Sequence, residues 1–310
     1  MMPGSYPSGT RDNPSSARSI IRPLGVGNVV NAGLSLYRSH LKSYLSLSLR
    51  AHLWSLIPIY GWAKFQMLSA AIARHSFQEV LSQPESLKES ERQVRPHLWL
   101  FFALQIIVGL ILLGINIALS VVQFVVVTLP FLMIVDTTIG DSGIFVGIRL
   151  MINVIFYIAY LWFWSRLFIP ELPLAIDGQT DIIDNIGRSW QLTSGLAVRV
   201  LVIISIVALI TLPLYLLALL PMIILFLASV PFAVSGTEGS FSAATIVALL
   251  LLAFLVGVVM FLLASTLIMP IWQATKAVLY CDIRSRREGL GLRLGHAALV
   301  SPNDSSSDPS

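Results

Sequence analysis

The chain of 310 residues is 56% hydrophobic and only 12% charged, with a formal net charge of +4 and a mean hydropathy of +0.81. Soluble domains contain about a quarter charged residues, so this balance excludes a soluble globular protein and makes the bilayer the main solvent. A single cysteine, Cys281, excludes an internal disulfide and any cysteine cluster for zinc or iron–sulfur.

The two ends of the chain are predicted to be disordered cytoplasmic tails. Residues 1–23 are rich in Ser, Pro and Gly and lack the apolar core of a cleaved signal peptide. Residues 294–310 end in Ser, Asp and Pro, a composition that cannot bury enough apolar surface to become ordered. We therefore expect one membrane domain, over residues 24–293.

The first part of the membrane domain allows two arrangements. Residues 28–37 have the pattern of an amphipathic helix that lies on the membrane. Residues 41–81 are apolar in short runs, interrupted by Lys42, Arg50, Lys64, Arg74 and Glu79. Either a weak hairpin turns at residues 58–61, which gives six spans, or these helices lie in the interface, which gives four. We favour an all-α polytopic protein with about six transmembrane helices, four of them in long uninterrupted runs, together with interfacial amphipathic helices.

Two hydrophobic hairpins dominate the rest of the chain. The first covers residues 97–168 with an outer loop at 128–143, and the second covers residues 197–269 with an outer loop at 230–242. Neither loop contains Lys or Arg, whereas the flanks are basic, so the flanks and both termini are predicted to be cytoplasmic in a bacterial inner-type membrane. Each long run is expected to cross once and to bend or end at a glycine or proline: Gly109, Gly114, Pro130, Pro213, Pro221 and Pro231.

Amphipathic helices are predicted in front of the hairpins. Residues 181–190 place Ile182, Ile183, Ile186 and Trp190 on one face, and Asp184 and Arg188 one turn apart on the other. The sequence Ser86-Leu-Lys-Glu89 is a capping box that opens a similar helix leading to Trp99.

These helices also suggest an internal repeat. An amphipathic helix stands at the start of each unit, and each unit closes with a proline near the inner face, at Pro58, Pro170 or Pro270. We therefore predict parallel repeats over residues 24–84, 85–177 and 178–290.

Three segments carry a family resemblance: Gly27-Asn-Val-Val with Leu36-Tyr-Arg-Ser-His40, then Gly187-Arg-Ser-Trp-Gln-Leu-Thr-Ser-Gly195, then Ala277-Val-Leu-Tyr-Cys-Asp-Ile-Arg-Ser-Arg-Arg-Glu-Gly289. Over roughly residues 24–290 the chain resembles the membrane domain attached to some bacterial glycerophosphodiester phosphodiesterases, and related stand-alone multi-pass proteins. The resemblance implies a noncatalytic membrane part without an agreed biochemical activity. The phosphodiesterase domain of that family, a barrel with His, Glu and Asp around a divalent metal, has no counterpart in this sequence.

Catalytic motifs are absent from the sequence. Of the five histidines, at positions 40, 52, 75, 97 and 296, no two have metal-ligand spacing with a nearby acid or thiol, and there is no nucleophile elbow, phosphate loop or dinucleotide fingerprint. We expect neither catalysis nor a metal or other cofactor. A membrane-embedded lipid enzyme would need a cluster of acids, bases or metal ligands at the interface, and the sequence offers only Asp177, Asp181 and Asp184, without a histidine.

Polar residues within or beside the spans are candidates for function. Arg149, with Asn153 one turn deeper, could form an intramembrane polar site, or Arg149 could simply pair with Asp136 or Asp141 or reach the headgroups. Glu171, between two prolines, could line a site or pair with Arg166 at the boundary. Three further amides could line a polar path or bond between helices: Gln105, Asn116 and Gln123.

A basic cluster is predicted to contact lipid or a partner at the cytoplasmic face. Its members are Arg188, Trp190, Arg284, Arg286 and Arg287, with Asp282–Arg286 and Arg284–Glu288 as pairs one turn apart. Because basic residues at membrane boundaries attract anionic headgroups, we expect membrane lipids as partners, through a specific site or nonspecific contact, and no nucleic acid. The sequence thus favours a noncatalytic scaffold that contacts lipid or a protein partner, with a small transporter or channel as the alternative.

Overall fold

The structure, a computed structural model, describes residues 24–83, 85–130, 143–234 and 243–288. These ranges are helical and contain no strand, which confirms the all-α prediction. The predicted tails and most of both outer loops lie outside the described residues. The helices are α1 (Val26–Ser39), α2 (Leu41–Ser55), α3 (Tyr60–Val80), α4 (Leu87–Val94), α5 (Leu98–Gln123), α6 (Gly143–Arg166), α7 (Glu171–Asp177), α8 (Ile182–Thr193), α9 (Ala197–Val234) and α10 (Ala243–Arg287).

Four stretches of the described chain are long and apolar enough to cross a membrane: Leu87–Thr128, Val146–Asp177, Ala197–Leu227 and Val247–Arg287. The four predicted spans in the long runs are therefore confirmed, whereas α2 and α3, which would bring the number to six, do not meet these criteria of length and hydropathy. Helix α2 has 15 residues, about 22 Å at 1.5 Å per residue, which is short of the hydrocarbon thickness of ~30 Å. Polar and charged side chains lower the hydropathy of α3. The chain does turn between them, at residues 56–59.

Each hairpin consists of two helices packed against one another, α5 with α6 and α9 with α10. Each long run contributes one stretch that is able to cross a membrane, as predicted. Helix α5 passes Gly109 and Gly114 without a break and continues into a π-helical segment, Phe124–Thr128, while α9 passes Pro213, Pro221 and Pro231 as one helix of 38 residues. The glycines and prolines therefore do not end these helices.

The short helices gather at one end of the spans and form what we call the cap, made of α1–α4, α7 and α8. The last part of α10 runs through this cap and is completely buried there, at Ala274, Ala277, Leu279, Tyr280 and Ile283. Helix α4 begins at the predicted capping box, where Ser86 Oγ accepts a hydrogen bond from the Glu89 amide at 3.2 Å. The membrane part and the cap are thus joined through shared helices.

The three prolines that close the predicted repeat units differ in their structural setting. Pro58 and Pro170 lie in turns between helices, as predicted, but α10 continues through Pro270. A proline leaves the carbonyl four residues earlier without its helical donor, which at this site is the carbonyl of Thr266. Ser48 Oγ of α2 donates to that carbonyl at 2.8 Å, so packing against α2 satisfies the group and the helix is kept.

Helix α8 is oriented differently from the prediction of a helix lying apolar face down on the membrane. Its buried face holds the polar residues Asn185, Ser189 and Thr193, while Ile183 is 79% exposed. Ser189 Oγ donates to the carbonyl of Arg166 at 2.8 Å. These polar groups find partners inside the cap. The packed face of α8 therefore combines them with Leu192 and the half-buried Ile182 and Ile186, while Asp184 stays exposed.

Candidate functional site

All seven tryptophans of the chain lie where the spans meet the cap. We call this set the tryptophan belt: Trp54, Trp62, Trp99, Trp162, Trp164, Trp190 and Trp272. Contacts between rings link helices that are distant in sequence, with Trp162 and Trp190 5.9 Å apart and Tyr60 and Trp99 6.3 Å apart between ring centroids. Trp62 and Trp99 are more than half exposed. Tryptophan rings prefer the level of the headgroups, so the belt marks a membrane–water interface.

Basic side chains are interleaved with the belt. The guanidinium of Arg166 lies 4.7 Å from the ring centroid of Trp190 and 5.1 Å from that of Trp162, and Lys64 Nζ lies 4.9 Å from the ring centroid of Trp54. A cation over an aromatic face is attracted by the ring quadrupole. The belt therefore combines apolar rings with positive charge, which suits the phosphate and carbonyl region of a bilayer.

The predicted basic cluster is brought together at the far end of α10, but three of its four arginines are paired with carboxylates of the cap: Arg188, Arg284 and Arg286. Asp177 Oδ1 accepts a hydrogen bond from Arg284 Nη1 at 3.0 Å, and its Oδ2 accepts one from Tyr280 OH at 3.1 Å and lies 3.2 Å from Arg188 Nη1. Glu288 accepts from Arg284 Nε at 2.8 Å, which confirms that predicted pair, and from Arg188 Nη2 at 3.2 Å.

This network explains why the predicted pair between Asp184 and Arg188 is replaced. Arg188 turns toward Asp177 and Glu288, and Asp184 instead accepts from Gln179 Nε2 at 3.2 Å. Partial burial raises the pKa of Glu288, but hydrogen bonds and positive charge from Arg284 and Arg188 outweigh it, so its pKa lies below the usual value. The carboxylate therefore stays charged and holds both arginines.

A second ion-pair group centres on Asp282, which is 3% exposed. Arg286 bonds to it through Nε at 3.1 Å, as predicted, and Arg199 donates through Nη2 at 2.9 Å. The amide of Leu24 donates to the same carboxylate at 2.8 Å. Sequence reasoning missed Arg199, because a lone arginine near the start of a span reads as a boundary residue and nothing in the pattern connects it to a carboxylate 83 positions away.

An open cleft of about 640 Å³ lies between α8 and the end of α10. Among its lining residues are Arg188, Arg287, Asp184 and Glu288, so positive and negative side chains are equal in number there. Arg287 donates to the carbonyl of Ser194 and has no carboxylate partner within the described ranges. The cleft therefore has the character of a zwitterionic surface rather than a strongly anion-selective one.

The three acids considered for a lipid enzyme are engaged separately. Asp177 belongs to the arginine network, and Asp181 caps α8 by accepting from the amides of Ile183 and Asp184 at 2.8 Å and 3.1 Å. Asp184 itself bonds to Gln179. Each carboxylate thus has a structural partner of its own.

The predicted intramembrane residues fall into two places. Between α5 and α6 an open groove of about 400 Å³ is lined by polar and aromatic side chains: Asn116, Ser120, Gln123, Asn153, Tyr157 and Tyr160. Gln123 Nε2 donates to Asn153 Oδ1, and Asn153 Nδ2 donates to the carbonyl of Arg149 at 2.7 Å. The suggested partners of Arg149, Asp136 and Asp141, lie outside the described residues.

Glu171 is not part of that groove. It starts α7 in the cap, where Lys276 Nζ of α10 lies 2.5 Å from its carboxylate, in place of the expected Arg166. Lys276 also lies 4.7 Å from the ring centroid of Phe168. Asn153 precedes the end of α6 by 13 residues, about 20 Å along the helix, so the two predicted polar positions are far apart.

A cluster of histidines that the sequence did not reveal lies inside the cap. His40, between α1 and α2, approaches His75 and Glu79 of α3, and one ligand atom from each of the three lies within 4.8 Å of the others. His75 is 4% exposed. Burial lowers the pKa of His75, as does the neighbouring His40, while Glu79 and Glu85 act in the opposite direction. The only signal in the sequence was the one-turn spacing of His75 and Glu79; the contribution of His40 depends on the turn between α1 and α2.

Comparison with protein-family models, curated proteins and solved structures finds no match to this chain. The resemblance to the membrane domain of glycerophosphodiester phosphodiesterases therefore stays a prediction. Over the residues that the structure describes, the chain is all-helical with four helices able to span a membrane, and hence an integral membrane protein.

Proposed function

We propose that this chain is a noncatalytic integral membrane protein that acts as a lipid-contacting scaffold, with its cap on the cytoplasmic face of a bacterial inner-type membrane. The observation that carries the proposal is the tryptophan belt with its interleaved basic side chains. A belt at the junction of spans and cap anchors the cap at headgroup level. The outer loops without Lys or Arg favour the cytoplasmic side for the cap.

The charge pattern of the cap supports a scaffold rather than an enzyme. Arg188, Arg284 and Arg286 are held by carboxylates of the cap, so they brace its helices against each other. Of the predicted cluster, Trp190 and Arg287 have no carboxylate partner among the described residues and can contact a lipid headgroup or a protein partner. This division of roles matches the resemblance, which implies a membrane part without catalysis of its own.

The spans support contact with lipid or another chain as well. In the hydrophobic windows of the four spanning stretches, at most 28% of the residues are buried within the chain. Large apolar side chains such as Leu110, Tyr157 and Leu209 are at least 60% exposed. An apolar surface this extensive needs acyl chains or the helices of a partner around it.

Quenching of tryptophan fluorescence by brominated phospholipids tests the proposal. Because all seven tryptophans belong to the belt, the intrinsic emission of the reconstituted protein reports on the belt alone. We expect stronger quenching by bromine near the glycerol backbone than by bromine near the chain ends. Because Trp62 and Trp99 are exposed, the quenched fraction of the emission should be smaller in Trp62→Phe and Trp99→Phe than in a matched Trp164→Phe control. Equal quenching at both depths, or none, would contradict the proposal.

The polar groove between α5 and α6 favours a second candidate function, that of a small transporter or channel. Amides paired within a span, Gln123 and Asn153, could exchange their mutual hydrogen bond for one to a solute. Liposome flux assays with a panel of small polar solutes test this. A flux that is lost in Asn153→Leu but kept in Asn31→Leu, an exposed position of α1 in the cap, would favour the transporter, whereas impermeable liposomes would leave the scaffold as the function.

A further inference from the structure

The geometry of the histidine cluster suits a metal ion. His40 Nε2 and Glu79 Oε1 lie 3.4 Å apart, and the rings of His40 and His75 meet edge to face with centroids 4.9 Å apart. Metal–ligand bonds of 2.0–2.2 Å in a tetrahedron separate two ligand atoms by about 3.4 Å. The pair His40–Glu79 already has that separation, and a ring nitrogen of His75 lies within 4.8 Å of both, so binding requires the His75 side chain to approach by at most about 1.4 Å.

A buried hydrogen bond with Tyr44 orients the His75 ring, as is typical of a metal ligand. Tyr44 OH lies 2.8 Å from His75 Nδ1 and 2.9 Å from Ser76 Oγ, both in the buried interior. In the tautomer in which Nδ1–H donates to the phenol oxygen and the phenol proton goes to Ser76, Nε2 of His75 keeps its lone pair. Metal-bound imidazoles commonly donate their second nitrogen to such a partner, which fixes the ring and the tautomer.

The exposure and the charge of the histidine cluster also suit a metal ion. The side chains of His40 and Glu79 are 30% and 33% exposed, so an ion can enter from solution and keep a water in the remaining position. The nearest arginine of α3, Arg74, is held by Glu85 at 3.1 Å and by the carbonyl of Ala175 at 2.8 Å. The charge of Arg74 is therefore neutralised by Glu85, and the Glu79 carboxylate is not engaged by this arginine.

We propose that His40, His75 and Glu79 form a binding site for one divalent transition-metal ion of the zinc class, with Tyr44 as the positioning residue. Two imidazoles and a carboxylate are ligands that zinc accepts, and the fourth position is left to water or an exchangeable ligand. The ion would join the turn between α1 and α2 to α3. Since an ion that binds only the folded cap stabilises it, metal should raise the melting temperature.

The experiment uses the full chain in detergent, after removal of the affinity tag and treatment with a chelator. Zinc is titrated into the protein in the presence of a chromophoric chelator, whose absorbance reports the zinc that the protein does not bind. We expect one zinc per chain, a higher melting temperature with zinc, and absorption bands of a tetrahedral complex when cobalt replaces zinc. His40→Gln and Glu79→Gln change partly exposed side chains and should each weaken binding more than about tenfold, while Tyr44→Phe should weaken it by about ten- to a hundredfold.

The control variant is His97→Gln, which removes a histidine outside the cluster and should bind zinc like the unmodified chain. A stoichiometry and affinity unchanged in His40→Gln, or no zinc binding at micromolar concentrations, would overturn the proposal and leave His40–Glu79 as a plain ion pair. The fluorescence experiment on the belt does not depend on zinc, so the two proposals fail separately.

Discussion

At the scale of single residues, one serine decides whether the longest helix stays intact. Pro270 removes a donor from α10, and the carbonyl of Thr266 accepts from Ser48 Oγ instead. Both residues are buried, at 0% exposure for Ser48 and 7% for Thr266. A buried carbonyl without a partner carries the full cost of its desolvation, so this contact compensates for the proline.

Replacing Ser48 should therefore destabilise the protein. We expect Ser48→Ala to lower the free energy of unfolding by about 1–3 kcal/mol, because the Thr266 carbonyl is left unsatisfied. Thermal unfolding in detergent, followed by circular dichroism, measures the change. The exposed Ser46 of the same helix is the matched control, and Ser46→Ala should have little effect.

A double variant separates this explanation from simple loss of packing. Pro270→Ala restores the amide of residue 270, which can then donate to the Thr266 carbonyl, so Ser48→Ala should cost less in that background. An equal cost of Ser48→Ala in both backgrounds would show that the hydrogen bond does not compensate for the proline.

At the scale of elements, helices α1 and α10 approach each other unusually closely. A Cβ atom added at Gly33 would lie 2.5 Å from Thr275 Oγ1 and 2.9 Å from Thr275 Cα. Backbone cannot yield as a flexible side chain does, so only glycine permits this contact. The close approach places α1 against the buried part of α10 and contributes to the position of the α1–α2 turn.

A methyl group at this contact should separate the two helices. Gly33→Ala should lower the free energy of unfolding by about 1–3 kcal/mol through overpacking, despite the better helix propensity of alanine. Gly27, in the same helix, has open space around its Cα, so Gly27→Ala should leave stability unchanged or raise it slightly. Comparison of the two melting temperatures checks the prediction, and an equal response would refute it.

The elements themselves could largely be predicted from the sequence, because hydrophobic length and capping are local properties. The hairpins, the capping box at Ser86 and the turn between α2 and α3 follow from such signals. The orientation of α8 does not, because small polar residues such as Asn185 can be buried or solvated, and the local pattern does not show which. Asn185, Ser189 and Thr193 find their partners in other parts of the fold.

The candidate sites were less predictable for a related reason. Arg188 and Arg284 were identified as important by residue type, but their shared partner Asp177 depends on how α7 meets α8 and α10. The histidine cluster likewise joins residues 35 positions apart, from His40 to His75. Side chains that meet only through packing leave no periodic mark in a sequence.

At the scale of the whole molecule, the absence of Lys and Arg from the two outer loops predicts the topology. Single cysteines at Ser142→Cys and Ser240→Cys should react with a membrane-impermeant maleimide in intact cells, and Ser8→Cys should react only after lysis. The native Cys281 is buried, so the unmodified chain serves as the background control. Labelling of Ser8→Cys in intact cells, or opposite results for the two loops, would contradict the topology.

The continuity of α10 links the bilayer to the cap mechanically. From Trp272 in the belt to Arg287 the helix extends about 22 Å at 1.5 Å per residue, with the cap packed around it. Spanning helices adjust their tilt when bilayer thickness changes, and a tilt of about 10° would displace that end by about 4 Å. Because the cap packs around this part of α10, such a tilt would carry the short helices with it, so their position would depend on the thickness of the surrounding lipid.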